Sequence, residues 1–302
     1  MTVAHTGMTP AASTQRGPEP QAQGYWGKAL RRLRRNRAAV LSGVLLVAIF
    51  VACFGSWPWA VNVYSRTNYA MAFAGPGWQH PLGTDEHGRD CLAQILYGGR
   101  ISLTVGFLAA SVAVCIGTLW GLVAGYAGGR TDAFMMRIVD VLYSLPYILL
   151  VVLLTLVFGR DWRTLFLAIG AVSWLTMARV IRGQVLQLRA MPFIEAARAL
   201  GLPTRRILLV HLLPNLAGPI LVYATLTVPQ AILQESFLSF LGIGMPPDYP
   251  TWGALAQQVT QINSIANDWH LVLPPCVALS MTLLALNFLG DGLRDALDPQ
   301  SL

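Results

Sequence analysis

One lysine, Lys28, serves all 302 residues. A phosphate-binding loop of the G-x4-G-K-[ST] type needs a lysine behind its glycines to reach the β- and γ-phosphates. Nothing of that form surrounds Lys28, so ATP hydrolysis by that route is excluded on this chain. A G-x-S-x-G nucleophile elbow and an H-E-x-x-H zinc helix are also missing. Cysteine is scarce too. Cys53, Cys115 and Cys276 fall in or beside apolar runs and Cys91 in a polar loop, with no metal or redox spacing among the four. They read as small apolar residues. Charge is the third shortage: charged residues make up 12% of the chain and hydrophobic ones 55%, against about 25% charged in soluble domains.

What is present is long apolar sequence, with a mean hydropathy of +0.54. About 20 residues cross the hydrocarbon of a bilayer. Six runs are candidates, near Ala38–Trp57, Ile101–Gly125, Ile138–Phe158, Leu165–Val180, Leu216–Leu241 and Leu271–Leu289. The fourth is short, but its helix has room to continue through Arg179 and Arg182. None alternates in the manner of a barrel strand. The expectation is an all-α polytopic membrane protein with six transmembrane helices. A cleaved signal peptide is the competing reading of the first run. That run starts nearly forty residues in and is long enough to span, which favours an uncleaved anchor.

Positive charge orients the chain. With the N-terminus inside, 16 of the 21 Lys+Arg fall in the cytoplasm, including the Arg31–Arg37 cluster. Arg66, Arg89, Arg100, Arg160 and Arg163 fall outside. Both termini are then cytoplasmic. The net charge of +7 also raises nucleic acid, but the basic run abuts a span and has no aromatic interleaving. Topology explains it, and no nucleic-acid partner is expected. The domain reading is a disordered cytoplasmic tail over 1–27, a basic segment with the first span over 28–60, and an outer loop over 61–100. A core follows over 101–295, with a cytoplasmic loop at 183–215 and a short tail at 296–302.

That loop holds the most specific sequence. It reads Glu195-Ala196-Ala197-Arg198-Ala199-Leu200-Gly201, then Leu202-Pro203-Thr204-Arg205-Arg206, and closes on His211 and Leu213-Pro214. Alanine, glutamate and arginine favour a helix, Gly201 suits a left-handed C′ position, and Pro203 suits the first turn of a following helix. A helix–turn–helix on a membrane face is expected.

The spacing resembles the EAA loop of importer-type ABC-transporter inner-membrane permeases, with His211 where the general pattern has isoleucine. Further blocks extend the resemblance over residues 28 to 302. These are Pro81–Asp90, Tyr97–Leu103, Ser239–Gly244, Pro250–Gly253 and Asn287–Asp295. Together they resemble the C-type subunit of dipeptide and oligopeptide importers. The resemblance implies a type I importer permease in a bacterial inner membrane that binds no cofactor itself. It also implies ATP and Mg used by ATPase partners, either one fused chain or two separate ones. A homologous second permease, an extracytoplasmic substrate-binding protein and membrane lipid complete the expected partners. A nickel-complex or other small-solute importer shares these blocks. A stand-alone secondary transporter or channel would show interrupted spans and ion sites.

Glu195, Ala196, Ala197, Arg198, Gly201, Arg205, Arg206, His211 and Pro214 are the residues that the resemblance assigns to ATPase coupling; the bland alternative is a connector packed only on its own bundle. Glu235, with Gln230 and Gln234, is a candidate for the translocation path or gate, because an ionisable group inside a span is costly. A structural hydrogen bond is the equal alternative. Asp140, Asn287 and Tyr223 are weaker path candidates. The segment His80–Asp90 has histidines and carboxylates in no known metal spacing and reads as a structured outer loop. The loop from Gly242 to His270 is expected to cap the outer mouth or meet the binding protein.

Overall fold

A computed structural model describes residues 25–159, 161–246, 248–260 and 265–297. Most of the expected tail over 1–27, the ending after 297, Arg16, Arg160 and Pro247 lie outside the described residues. In chain order the helices are α1 (Tyr25–Arg35), α2 (Arg37–Gly55), α3 (Trp57–Val63), α4 (Cys91–Ala127), α5 (Gly129–Ser144), α6 (Tyr147–Phe158) and α7 (Trp162–Arg189). They continue with α8 (Pro192–Ala199), α9 (Thr204–Arg206), α10 (Leu213–Asn215), α11 (Ala217–Phe240), α12 (Trp252–Ala256) and α13 (Ile265–Leu297). The fold is all-helical; among the described residues the one β-type pairing is an isolated bridge between Thr84 and Asp90.

Four helices, α2, α4, α7 and the Asp268–Leu297 stretch of α13, are each long and apolar enough to cross a membrane. The count reaches six when two bent pairs are each taken as one span: α5 with α6, at 91°, and Thr204–Asn215 with α11, at 64°. The third apolar run, expected over Ile138–Phe158, is therefore not a straight rod. Pro146 disfavours helical backbone at the residue before it, and Leu145 is extended at φ −78°, ψ 138°. The second run differs at its start. The segment read as loop to residue 100 is helical from Cys91, because the Asp90 carboxylate accepts from the Ala93 N–H at 2.8 Å and caps α4. The fourth run continues past Val180 to Arg189.

The centre of the bundle is the seam between α4 and α7. Gly117, Gly121 and Gly125 put backbone on one α4 face every fourth residue. A Cβ on Gly117 would lie 2.5 Å from the Met177 Cβ, and one on Gly121 would lie 2.5 Å from the Ala178 carbonyl oxygen. Small residues let spanning helices approach where lipid supplies no hydrophobic drive between them. By contrast α2 is apolar nearly all round, with Leu41, Val44, Val47 and Val51 each more than 60% exposed. That suits a lipid-facing helix.

One end of the bundle gathers α1, α8, the start of α11 and the end of α13; Ala29 packs there with Val222, Leu226, Leu293 and Leu297. The other end gathers the 64–90 loop and the 242–258 loop. The buried Asp85 carboxylate organises the first of these, accepting from the His87 and Arg89 N–H groups, from Arg89 Nε at 2.6 Å and from Gln94 Nε2 at 2.8 Å. His80 Nδ1 lies 2.8 Å from Asp90 Oδ2. No metal-holding group of three His, Cys, Asp or Glu occurs among the described residues.

Candidate functional site

The polar loop after α7 forms a compact knob. Its first helix, α8, turns Ile194 and Ala197 inward, one helical turn apart, onto Ile207, Leu212 and Val185. Glu195, Ala196, Arg198, Ala199 and Leu200 are exposed, Leu200 to 80%. Ala197, a coupling candidate, is thus buried against its own chain rather than offered at the surface. The α8 helix ends as its glycine requires. Gly201 has φ +72°, its N–H donates to the Arg198 carbonyl at 2.9 Å, and the Leu202 N–H reaches back to the Ala197 carbonyl at 3.2 Å. These are the two bonds of a Schellman motif. They draw Leu202 onto the cluster of Ile194 and Ile207.

Beyond the turn, Pro203 flanks α9, extended at ψ 143° instead of lying inside the helix. Arg205 and Arg206 are exposed. A wide π-helical segment, Ile207–Leu212, follows, with the Leu213 N–H donating to Leu208. Pro214 comes next; a proline lacks the N–H that a regular helix would use there, and a widened turn is one way to accommodate it. His211 is half-buried, and its carbonyl accepts from Asn215 Nδ2 at 2.6 Å.

Arginines fasten the knob to the bundle. Arg198 lies over the Tyr126 ring, 4.9 Å from its centroid. Arg189 Nη1 donates to the Gly125 and Tyr126 carbonyls, both at 3.2 Å. Two turns back, Arg182 grips the Asp132 carboxylate with two bonds of 2.5 and 2.6 Å, a bidentate geometry that fixes direction as well as charge. Arg179 donates to Asp140 at 2.9 Å and covers the Tyr143 ring at 4.1 Å. Asp140, a path candidate, is therefore an exposed ion-pair partner of α7.

The opposite half of α7 borders a cleft of about 280 Å³. Gln230 and Gln234 of α11, Ser173 and Thr176 of α7, and Tyr143 and Tyr147 line it; Ser173 Oγ lies 3.4 Å from Gln234 Oε1. Glu235 does not face this space. It is fully buried, accepting from Ser239 Oγ at 2.8 Å, Ser102 Oγ at 3.1 Å and Ser236 Oγ at 3.3 Å. Ser102 Oγ in turn accepts from the Trp252 N–H at 3.3 Å, and Trp252 Nε1 donates to the Ile95 carbonyl at 2.9 Å. Glu235 thus ties α4, α11 and α12 together. Tyr223 packs beside the knob cluster, and Asn287 is exposed, bonding the Leu283 carbonyl of its own helix at 2.8 Å.

Residues 117–301 match the family described as binding-protein-dependent transport system inner membrane component. The chain belongs to that family. This membrane permease also matches, over residues 24–76, the N-terminal TM domain of oligopeptide transport permease C. It is 44% identical to the oligopeptide transport system permease protein OppC of Haemophilus influenzae, over 93% of this chain and 90% of that protein. It is 43% identical to the dipeptide transport system permease protein DppC of Bacillus subtilis, over 91% of this chain and 86% of that protein. Among solved structures, a chain of the MetNI methionine ABC transporter in an inward-facing form matches with a TM-score of 0.55 at 19% identity. That match covers 68% of the permease and 96% of the MetNI chain, and it supports the fold alone.

Sequence reading missed several residues that the geometry brings forward: Ser173 and Thr176 at the cleft, Ser102 beneath Glu235, and the Arg182–Asp132 pair. The four-residue spacing of Gly117, Gly121 and Gly125 is a signal of close helix packing that the sequence offered and that was not used.

Proposed function

We propose that this permease is the C-type subunit of an ATP-driven importer and forms half of an inward path for dipeptides and oligopeptides. One observation carries the reading. A single helix, α7, carries at its Arg189 end an exposed knob set by a glycine turn and borders a polar cleft at its middle, around Ser173 and Thr176.

The spacing is mechanical. Ser173 and Arg189 lie sixteen residues apart on α7, roughly 24 Å of helix. A push on α8 is delivered through Arg189 and Arg198 to the ends of α7 and α4, and through Arg182 to α5. The cleft between α7, α11 and the α5–α6 break responds. The exposed Glu195, Arg205 and Arg206 with Leu200 supply the polar and apolar contacts of the docking face. Its partner is an ATPase, fused or as two chains, which binds the ATP and Mg. A homologous second permease closes the other half of the path. In this orientation the knob and both termini are cytoplasmic, and an extracytoplasmic binding protein meets the 64–90 and 242–258 loops. The membrane is the bacterial inner membrane. Amides and hydroxyls at the cleft match the amides of a peptide backbone and are indifferent to its side chains.

The test is reconstitution of the chain with its neighbouring-gene ATPases, second permease and binding protein in proteoliposomes. ATP-dependent uptake of labelled tri- and tetrapeptides is the expected result. Uptake by this chain alone, or uptake of a metal chelate with no peptide uptake, overturns the reading.

A further inference from the structure

A second concavity lies on the far side of the bundle from the polar cleft. It is a groove of about 410 Å³ between α2, α4, α11 and α13, bordered by Gly43, Val47, Val51, Leu103, Thr225 and Leu289. Its lining is apolar. Thr225, its hydroxyl-bearing member, is already satisfied by the Val222 carbonyl at 2.8 Å. Along α2 it runs from Gly43 to Val51, about 12 Å at 1.5 Å per residue.

One end of the groove is marked by charge. The Gly43 end points toward α1, which packs on Val222, Leu226, Leu293 and Leu297 just beyond the groove residues of α11 and α13. Arg31, Arg34, Arg35 and Arg37 are exposed there. Arg37 stands six residues before Gly43, about 9 Å along the helix. Along α2 the groove thus runs from about 9 to about 21 Å from Arg37, starting within and reaching past the ~15 Å depth of one leaflet's hydrocarbon.

We infer that this groove, headed by the arginines of α1 and the start of α2, binds an anionic phospholipid, with one acyl chain in the groove and the phosphate at the arginines. Charge complementarity selects the head group, since juxtamembrane arginine clusters favour anionic lipid. The lipid would brace α2 against α13 and α11.

The experiment uses the assembled importer in nanodiscs with equal phosphatidylglycerol and phosphatidylcholine, followed by re-extraction and native mass spectrometry of retained lipid. The wild type is expected to retain phosphatidylglycerol over phosphatidylcholine by at least about tenfold. Arg34→Gln/Arg35→Gln/Arg37→Gln should abolish that preference, whereas Arg66→Gln, at the opposite end, should leave it intact. Gly43→Leu with Val47→Trp should empty the groove of both lipids with the arginines untouched. The Cβ at Gly43 is sterically harmless, meeting Leu289 Cδ1 at 3.9 Å. Equal retention of the two lipids by the wild type overturns the site. So does full retention by the filled-groove variant, or photo-crosslinking from position 47 to the second permease instead of to lipid.

Discussion

The turn at Gly201 separates conformational cost from steric cost, because nothing lies within 4 Å of where its Cβ would sit. A side chain there meets open space, and the whole penalty comes from φ +72°. For an L-residue that region costs roughly 1–2 kcal/mol, with asparagine spared most of it. Gly201→Ala should therefore weaken the Schellman turn by about that amount, and Gly201→Val by more, since a β-branched residue is a worse fit still. Gly201→Asn should stay near wild type. If docking requires the turn, 1.4 kcal/mol appears as a tenfold loss of ATPase affinity, so the alanine variant should lose roughly five- to thirtyfold. The assay is titration of detergent-solubilised permease pair with the ATPase partner, alongside ATP-coupled uptake. Membrane insertion is the control and should not change, since no spanning helix is touched. An order of Asn near Gly, then Ala, then Val supports the reasoning. Alanine and valine both at wild-type affinity would refute it and return the loop to a plain connector.

Four further outcomes follow. Gly121→Val should destroy the α4–α7 seam and the yield of monodisperse protein, because its Cβ meets the Ala178 carbonyl oxygen at 2.5 Å; Gly183→Ala on α7, with nothing within 4 Å, should be tolerated. In a thermal-unfolding cycle of Asp132→Ala, Arg182→Ala and the double variant, the paired contacts at 2.5 and 2.6 Å should show coupling of about 0.5–3 kcal/mol. Cysteines at Thr204 and Asp248 should label from opposite sides of the membrane, position 204 only from the cytoplasm; labelling of both from one side would reverse the topology. Spin labels at Leu167 and Gln187 should keep their separation when the assembled importer binds ATP, while labels at Tyr143 and Gln230, across the cleft, should change theirs.

The parts of this permease that follow local rules were legible before any coordinates. The long apolar runs and the glycine after Glu195-Ala196-Ala197-Arg198 each state their structure within a few residues. The Pro146 break was also written locally, but the apolar run around it read as one uninterrupted span, and hydrophobicity does not report direction. The early start of α4 was masked for a similar reason. Gln94, Tyr97 and Arg100 look like loop residues, yet the Asp90 cap and the Trp252 contact over Gly99 hold them in a helix. The pairing of Arg182 with Asp132, fifty residues apart, cannot be read from spacing at all. Nor can the inward turn of Glu235, where the sequence left a path and a structural bond equally open.

The division of labour between stiff and bent elements explains why those long-range contacts matter. No proline interrupts α7, the first of its two glycines, Gly170, is locked against Val112 and the Ala109 carbonyl, and Arg179, Arg182 and Arg189 are tied to α5 and α4. It has every feature of a rod. The other walls of the cleft are broken by design of sequence: α5 and α6 meet at 91° across Pro146, and α11 follows a 64° bend and the π-helical segment before Pro214. In the proposed coupling, displacing the knob would move α7 as a unit, with the difference absorbed at Leu145–Pro146 and at Ile207–Leu216. The first joint adjoins the cleft at Leu145 and Tyr147, while the second lies about 21 Å along α11 from Gln230. On the proposed reading, a rod between two joints would convert a small displacement of the knob into a change in the width of a polar space about 24 Å along α7 from Arg189, which is what coupling a remote ATPase to a path would require.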